Sequence, residues 1–142
     1  MHNTHITWYI PGKVIYIGWE SHITLESASA VSKDVYALMS TAPGKVHVLN
    51  DARNVVACPR NVMEIRRNMI HLDHPQLDWL VSLTPPGFVA FLADVVPQMI
   101  TRTKSRAFTT LELGQTHLRY VDRTLDWNMA LDLEKLPQHH PA

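Results

Sequence analysis

Short apolar runs alternate along this chain with stretches whose apolar residues recur every three or four positions. Two runs rich in β-branched and aromatic residues flank Pro11-Gly12, a pair that favours a turn because proline presets φ and glycine tolerates a positive φ. The runs with strand character are 6–10, 13–19, 46–49, 77–83 and 106–109. Strands that alternate with helices predict an α/β fold with a mixed, mostly parallel five-stranded sheet, to which an N-terminal β-hairpin adds an antiparallel edge.

About four stretches have the spacing of an amphipathic helix. Thr24 and Thr110 stand at the expected start of two of them, and each is followed by Leu-Glu. Threonine caps a helix, and glutamate is favoured near the positive end of the helix dipole. A third stripe covers 62–72, and a fourth covers 88–99 but contains Pro97, which bends or shortens a helix. The predicted order is therefore β-β-α-β-α-β-α-β-α.

The length of 142 residues matches a single domain, which at this size buries roughly 68–70% of the surface that its unfolded chain exposes. We assign the domain to residues 1–134 and expect a flexible tail over 135–142. Cys58 is the only cysteine, so no intramolecular disulfide can form, and the first twenty residues lack the pattern of a secretory signal. These features predict a cytoplasmic protein.

The 13 basic and 13 acidic residues balance to a formal net charge of zero. This balance argues against broad electrostatic binding to nucleic acid or to anionic lipid. No apolar run reaches the roughly 20 residues that a membrane-spanning helix needs. The composition therefore predicts a protein that engages neither nucleic acid nor membrane.

The segment 45–54, KVHVLNDARN, carries a short apolar run that stops at a polar cluster. In open α/β sheets, ligands and partners engage the loops beyond the carboxyl ends of the strands. Asp51, Arg53 and Asn54 offer a carboxylate, a guanidinium and an amide there, which suit a ligand- or partner-binding surface. The alternative is local, because Asp and Asn also stabilise turns and helix starts through their own side chains.

Basic residues continue into the helix that follows this loop. Arg60, Arg66 and Arg67 lie on or beside the same loop-helix unit as Arg53. They suit either an acidic partner surface, where charge complementarity governs association rate and specificity, or a simple solvated face. We include Arg60 and Arg67 with Asp51, Arg53 and Asn54 in the predicted binding site.

Histidine and cysteine residues give only weak signals for chemistry. His71 and His74 are three residues apart, a spacing that can place two imidazoles on one helical face. No third ligand is indicated, and a solvated histidine-rich helix terminus is the favoured interpretation. Cys58 has no recognisable base or oxyanion donors near it in the sequence, and the chain has no G-x-G-x-x-G, P-loop or G-x-S-x-G motif. We therefore predict no catalytic residue, no metal and no cofactor.

The order of elements, together with WYIPGKVIYIGWE, the T-L-E helix start and VHVLNDARN, resembles STAS-like domains of the SpoIIAA type, the anti-sigma factor antagonist fold. The resemblance covers roughly residues 5–125. In signalling members of that family, an Asp-Ser pair follows a strand, and a partner kinase phosphorylates the serine. Here the corresponding pair is Asp51-Ala52. The resemblance therefore implies a binding domain that is not switched by phosphorylation at the usual serine position.

We accordingly predict a noncatalytic protein-interaction or regulatory module with a protein partner of unknown identity. The segment 86–100, PGFVAFLADVVPQMI, is apolar around much of its circumference, which adds a possible homodimer contact, since such helices are usually buried. The alternative function is a small-ligand-binding protein or an enzyme of unassigned chemistry. Its pocket would lie near Asp51, Arg53 and Cys58, with His71 as a further candidate.

Overall fold

The alternating pattern folds into one five-stranded sheet in the computed structural model, which describes residues 3–59, 61–85 and 104–136. The strands lie side by side in chain order. The first pair is antiparallel and the other three pairs are parallel, which confirms the predicted mixed α/β sheet with its hairpin edge. The strands are β1 (His5–Ile10), β2 (Val14–Gly18), β3 (Val46–Asp51), β4 (Leu77–Leu83) and β5 (Lys104–Phe108).

Three α-helices are found within the described residues: α1 (Leu25–Ser40), α2 (Val62–Asn68) and α3 (Leu111–Val121). Both predicted threonine caps are confirmed. The Thr24 hydroxyl accepts a hydrogen bond from the Ser27 amide at 3.0 Å, and the Ser27 hydroxyl accepts one from the Thr24 amide at 2.9 Å, so that two otherwise unpaired donors are satisfied. The helix predicted over 88–99, and the dimer contact predicted over 86–100, lie outside the described residues.

The sheet separates two apolar clusters, and β2 supplies both of them. Ile15 and Ile17 pack into the cluster that holds α1, whereas Val14 and Tyr16 pack into the cluster that holds Leu118 of α3. Successive side chains of a strand point to opposite faces, so a strand that is apolar at every position must be covered on both sides. All five residues of β2 are buried, and the strand lies between β1 and β3 in the sheet.

Strand β3 is two residues longer than the predicted run of 46–49. Asn50 and Asp51 continue the ladder and pair with residues at the ends of β2 and β4. The Trp19 amide also donates to the Asp51 carbonyl at 2.9 Å. Asp51 therefore belongs to the strand and does not begin the loop. Because the side chains at these two positions are polar, the apolar pattern of the sequence predicts the end of the strand two residues too early.

The helical stripe predicted over 62–72 is broken in the structure. Helix α2 ends at Asn68, Met69 leaves the helical conformation with φ −105° and ψ 69°, and a 3₁₀ turn follows over Ile70–Asp73. The break turns His71 and Leu72 towards α1, and both are buried. The tertiary contact therefore overrides the apolar periodicity of the segment.

The segment after α3 returns to the first strand. Two 3₁₀ turns, Trp127–Met129 and Leu133–Lys135, follow the helix, and the Leu131 amide donates to the Tyr9 carbonyl at 2.8 Å. Leu136 packs against the cluster beneath α3, so the first residues of the segment predicted as a tail touch the core. Residues 137–142 lie outside the described part of the chain.

No helix in the described part of the chain is long and apolar enough to cross a membrane. The longest of them, α1, has 16 residues. It lies against the sheet, with Val31, Val35 and Met39 completely buried in the first cluster.

Gly114 marks the closest approach of α3 to the sheet. A Cβ atom at this position would lie 3.0 Å from a methyl group of Leu83 and 3.4 Å from one of Val81. Gly114→Val should lower the free energy of unfolding by about 1–3 kcal/mol, the usual cost of extra methyl groups in a filled core. The matched control is Gly44→Val, because a Cβ there meets no atom within 4 Å. Urea denaturation of the two variants checks this, and equal midpoints would contradict the close contact.

Candidate functional site

The Asp51 carboxylate, at the carboxyl end of β3, is the centre of a hydrogen-bonded cluster. It is buried, with 8% of its surface exposed. The Tyr16 hydroxyl donates to Oδ2 at 2.7 Å. Arg53 makes a two-pronged contact, with Nε donating to Oδ1 and Nη2 donating to Oδ2, each at 2.9 Å. The Arg53 backbone amide adds a fourth donor to Oδ1 at 3.2 Å.

These contacts fix the protonation states of the cluster. Burial raises the pKa of the Asp51 carboxyl, but the hydrogen bonds from Arg53 and Tyr16 outweigh it, so the net shift is downward. The hydrogen bond to Asp51 raises the pKa of Arg53. Burial, and then the charge of Asp51, raises the pKa of Tyr16. At neutral pH the carboxylate is therefore anionic, the guanidinium cationic and the phenol neutral.

Gly18 makes room for the Tyr16 ring. The two residues are two apart on β2 and therefore share one face of the strand, and Gly18 is paired with Asp51 across the ladder. A Cβ atom on Gly18 would lie 2.9 Å from the ring of Tyr16. The absence of a side chain at Gly18 lets the phenol lie along the strand towards the carboxylate.

The loop that follows β3 is tied to the segment that follows β2. The Val56 amide donates to the Ser21 carbonyl at 2.8 Å, and the Ile23 amide donates to the Ala57 carbonyl at 2.9 Å. The Ala52 amide donates to the Leu83 carbonyl at 2.7 Å. Backbone hydrogen bonds to the segments after β2 and β4 thus hold this loop at the carboxyl ends of the strands. They fix the position of the side chains that the loop exposes.

The structure brings together two of the five predicted site residues. Asp51 and Arg53 bind each other directly, and Asn54 is exposed in the adjoining turn. Arg67 is exposed on α2, where its Nε donates to the Met63 carbonyl at 3.3 Å. Arg60 lies outside the described residues.

Tyr16 was not predicted as part of this site. It stands thirty-five residues before Asp51 in the chain. The pair can be found only after the register of β2 against β3 is known. The one local signal is the aromatic residue two positions before a strand glycine, because such a glycine marks a close approach.

The interpretation of His71 and His74 as a solvated helix terminus is wrong, since both are buried. The His71 ring Nδ1 lies 2.7 Å from the Ser32 hydroxyl, which also accepts the His71 amide at 2.9 Å. The His74 ring Nε2 lies 2.9 Å from the Ser40 hydroxyl. The two imidazoles therefore connect the 3₁₀ turn and the residue after it to α1, because their serine partners lie on the same face of that helix.

A metal centre finds no support in the part of the chain that the structure describes. No group of three or more His, Cys, Asp and Glu side chains there is arranged to hold a metal ion. Cys58 is half-buried in the loop after β3 and forms no disulfide. The cluster around Asp51, with four hydrogen bonds to one buried carboxylate, is therefore the site considered below.

Comparisons with known proteins identify no relative of this chain. No family model matches the chain, and neither a curated protein nor a solved structure gives a significant match. What the domain does must therefore be argued from its own residues.

The Tyr16 hydroxyl should be coupled energetically to Asp51. Tyr16→Phe removes one donor from a buried anion, and we expect a loss of about 1–3 kcal/mol in the free energy of unfolding near neutral pH. In the background of Asp51→Asn the same substitution should cost less, because the anion that the hydroxyl serves is gone. Chemical denaturation of the single and double variants measures this coupling, and additive losses would contradict it.

The free energy of unfolding should fall as the pH is lowered from about 6.5 to about 4. Burial, and then the charge of Arg66, lowers the pKa of His71 to about 4 from its usual 6.5. Within this pH window His71 is therefore protonated in the unfolded chain but stays neutral in the folded chain. This contribution is fully present above the unfolded pKa and amounts to about 3 kcal/mol at most.

His71→Asn isolates this effect, because the amide oxygen can take the place of Nδ1 beside Ser32 but does not titrate. Denaturation of both proteins at the two ends of the window should show a shallower pH dependence for the variant. Asp51 does not blur the result, since its lowered pKa makes its contribution disappear only below the unfolded value of 3.8. Parallel pH profiles would show that His71 is not the titrating group.

Proposed function

We propose that this domain is a noncatalytic protein-interaction module of the STAS-like type. Its partner binds what we call the β3–α2 surface, defined as Arg53, Asn54, Val56, Met63 and Arg67. The observed α/β sheet with its antiparallel hairpin supports this proposal, as does the Asp51-Ala52 pair at the end of β3. Ala52 has no hydroxyl, so binding is independent of phosphorylation at that position.

The observation that carries the proposal is the exposure of apolar side chains on this surface. Val56 is 71% exposed and Met63 is 57% exposed. Exposed arginines lie in the same loop-helix segment. Interfaces between proteins are enriched in methionine and arginine relative to the rest of the surface. An apolar contact bordered by guanidinium groups is therefore suited to a protein partner.

The charge of this surface favours an acidic partner. Arg53 is paired with Asp51, and Arg66 is paired with Asp73. Arg67, by contrast, has no carboxylate oxygen within 4 Å among the described residues. Electrostatic complementarity at such a position acts mainly on the association rate and on the choice of partner.

The cluster around Asp51 supplies the rigidity that binding needs. Four donors fix the carboxylate, and the backbone bonds of Val56 fix the loop against Ser21. A surface that is already ordered loses less conformational entropy when a partner binds. The same occupancy weakens the small-ligand alternative, because the oxygens of Asp51 are engaged by protein donors before any ligand arrives.

Quantitative affinity capture from the native cell extract tests the proposal. The wild-type chain should recover a protein that the variant Val56→Asp/Arg67→Glu recovers at least about tenfold less, since one charge placed in an apolar contact typically costs more than 1.4 kcal/mol. Mass spectrometry of the eluate should identify both proteins and retained small molecules.

Lys33→Glu is the matched control, because Lys33 is an exposed cation on a different helix, α1. Recovery of the partner should be unchanged by this substitution. Equal recovery by all three proteins would reject the β3–α2 surface. A small molecule retained in stoichiometric amount, without a protein, would favour the alternative function, as would activity lost on replacing Cys58. A cytoplasmic location and a homodimer remain predictions that the same extracts can check.

A further inference from the structure

A cleft lies at the end of α3, on the far side of the sheet from α1 and α2. Its volume is about 440 Å³ and it is largely open to solvent, and this volume is within the range of sites that hold small molecules. One wall is formed by the last turn of α3 and the residues just after it, with Arg119, Tyr120 and Arg123, and the other is the segment that carries Trp127. None of these residues belongs to the β3–α2 surface, so the cleft is independent of the proposed function.

The floor of the cleft is fixed by a buried histidine. Asp122, the residue that ends α3, has its Oδ2 2.7 Å from Nε2 of His47 in β3. The other oxygen, Oδ1, accepts the Thr124 amide at 2.9 Å and the Thr124 hydroxyl at 2.6 Å. Three hydrogen bonds from the protein therefore engage both oxygens of the carboxylate. A cationic ligand that entered the cleft would find this acceptor already engaged.

The guanidinium groups of Arg119 and Arg123 line the same wall of the cleft. Arg119 lies over the ring of Trp127, with its central carbon 4.3 Å from the ring centroid. Trp127 is in turn held edge-on against Tyr9, at a centroid distance of 6.2 Å. Stacking on one face of a guanidinium leaves its N–H edges free to donate to a carboxylate or phosphate. Arg119 is thus oriented before any ligand binds.

The cations of the cleft are not neutralised by protein carboxylates. Within the described ranges, no carboxylate oxygen lies within 4 Å of either Arg119 or Arg123. With Asp122 counted, the formal charges of the lining residues sum to +1, from two arginines and one aspartate. The carboxyl end of α3 contributes a partial negative charge of about one half, which does not cancel this excess.

Tyr120 supplies an aromatic surface beside these cations. It is 79% exposed, so its ring is open to a planar ligand that stacks on it. Arg119 precedes Tyr120 on α3, and Arg123 follows the end of the helix, and all three side chains line the cleft. A ring bound on Tyr120 would therefore carry an anionic substituent beside both guanidinium groups.

We propose that this cleft binds a small organic anion in which a planar ring carries a phosphate or a carboxylate. The anionic group is held by Arg119 and Arg123, and the ring lies on Tyr120. The guanidinium fork accepts both kinds of anion in the same two-pronged geometry. The source of the charge is accordingly left to experiment, whereas the ring and the anion are both required.

Calorimetry and amide chemical-shift titration of the full chain test the proposal with four probes: phenyl phosphate, benzoate, inorganic phosphate and phenol. Phenyl phosphate, benzoate or both should bind saturably and shift the amides of 116–127. Inorganic phosphate and phenol should bind at least about tenfold more weakly, because each lacks one of the two required groups. The tighter of the two ring anions identifies the source of the charge.

Arg119→Gln should weaken the best probe by about tenfold or more, since it removes a charge-assisted contact. Lys33→Gln, which removes an exposed cation on α1, is the matched control and should bind as the wild type does. If Arg119→Gln proves unfolded by its amide spectrum, Arg123→Gln and Tyr120→Ala take its place. The proposal is overturned if no ring anion binds saturably, if inorganic phosphate binds equally well, or if the folded cleft variants bind unchanged.

Discussion

The burial of β2 on both faces is the constraint on which the rest of this structure depends. A strand that is apolar at every position cannot lie at the surface of a sheet, so helices must cover it from two sides. Helix α1 covers one face and α3 covers the other. At the end of β2, where Gly18 pairs with Asp51, the buried Asp51 carboxylate forms its cluster with Tyr16 and Arg53.

The burial at the end of β3 makes an ionised Asp51 carboxylate costly unless donors from the protein compensate it. An ionised group at the end of a central strand loses much of its hydration, and unpaired it would be costly. Tyr16 from β2 and Arg53 from the following loop replace that hydration. The replacement joins two strands and a loop through one anion. The surface beyond the cluster therefore inherits the rigidity of the sheet, as the proposed binding role requires.

Local chemistry made much of the fold predictable from the sequence, and distant contacts made the rest inaccessible. The threonine caps and the Pro11-Gly12 turn depend on residues a few positions apart, and each was found. The break at Met69 depends on Ser32, which receives His71 from thirty-nine residues away. In the same way, Asp51 and Arg53 were predicted as site residues, but the third member of the cluster, Tyr16, could be found only from the strand register.

The hydrogen bond between Leu131 and Tyr9 has a consequence for the edge of the sheet. Strand β1 is an edge strand, and unpaired backbone groups on an edge strand can pair with a strand of another chain. The Leu131 amide occupies the Tyr9 carbonyl, so the segment after α3 protects part of this edge from such pairing.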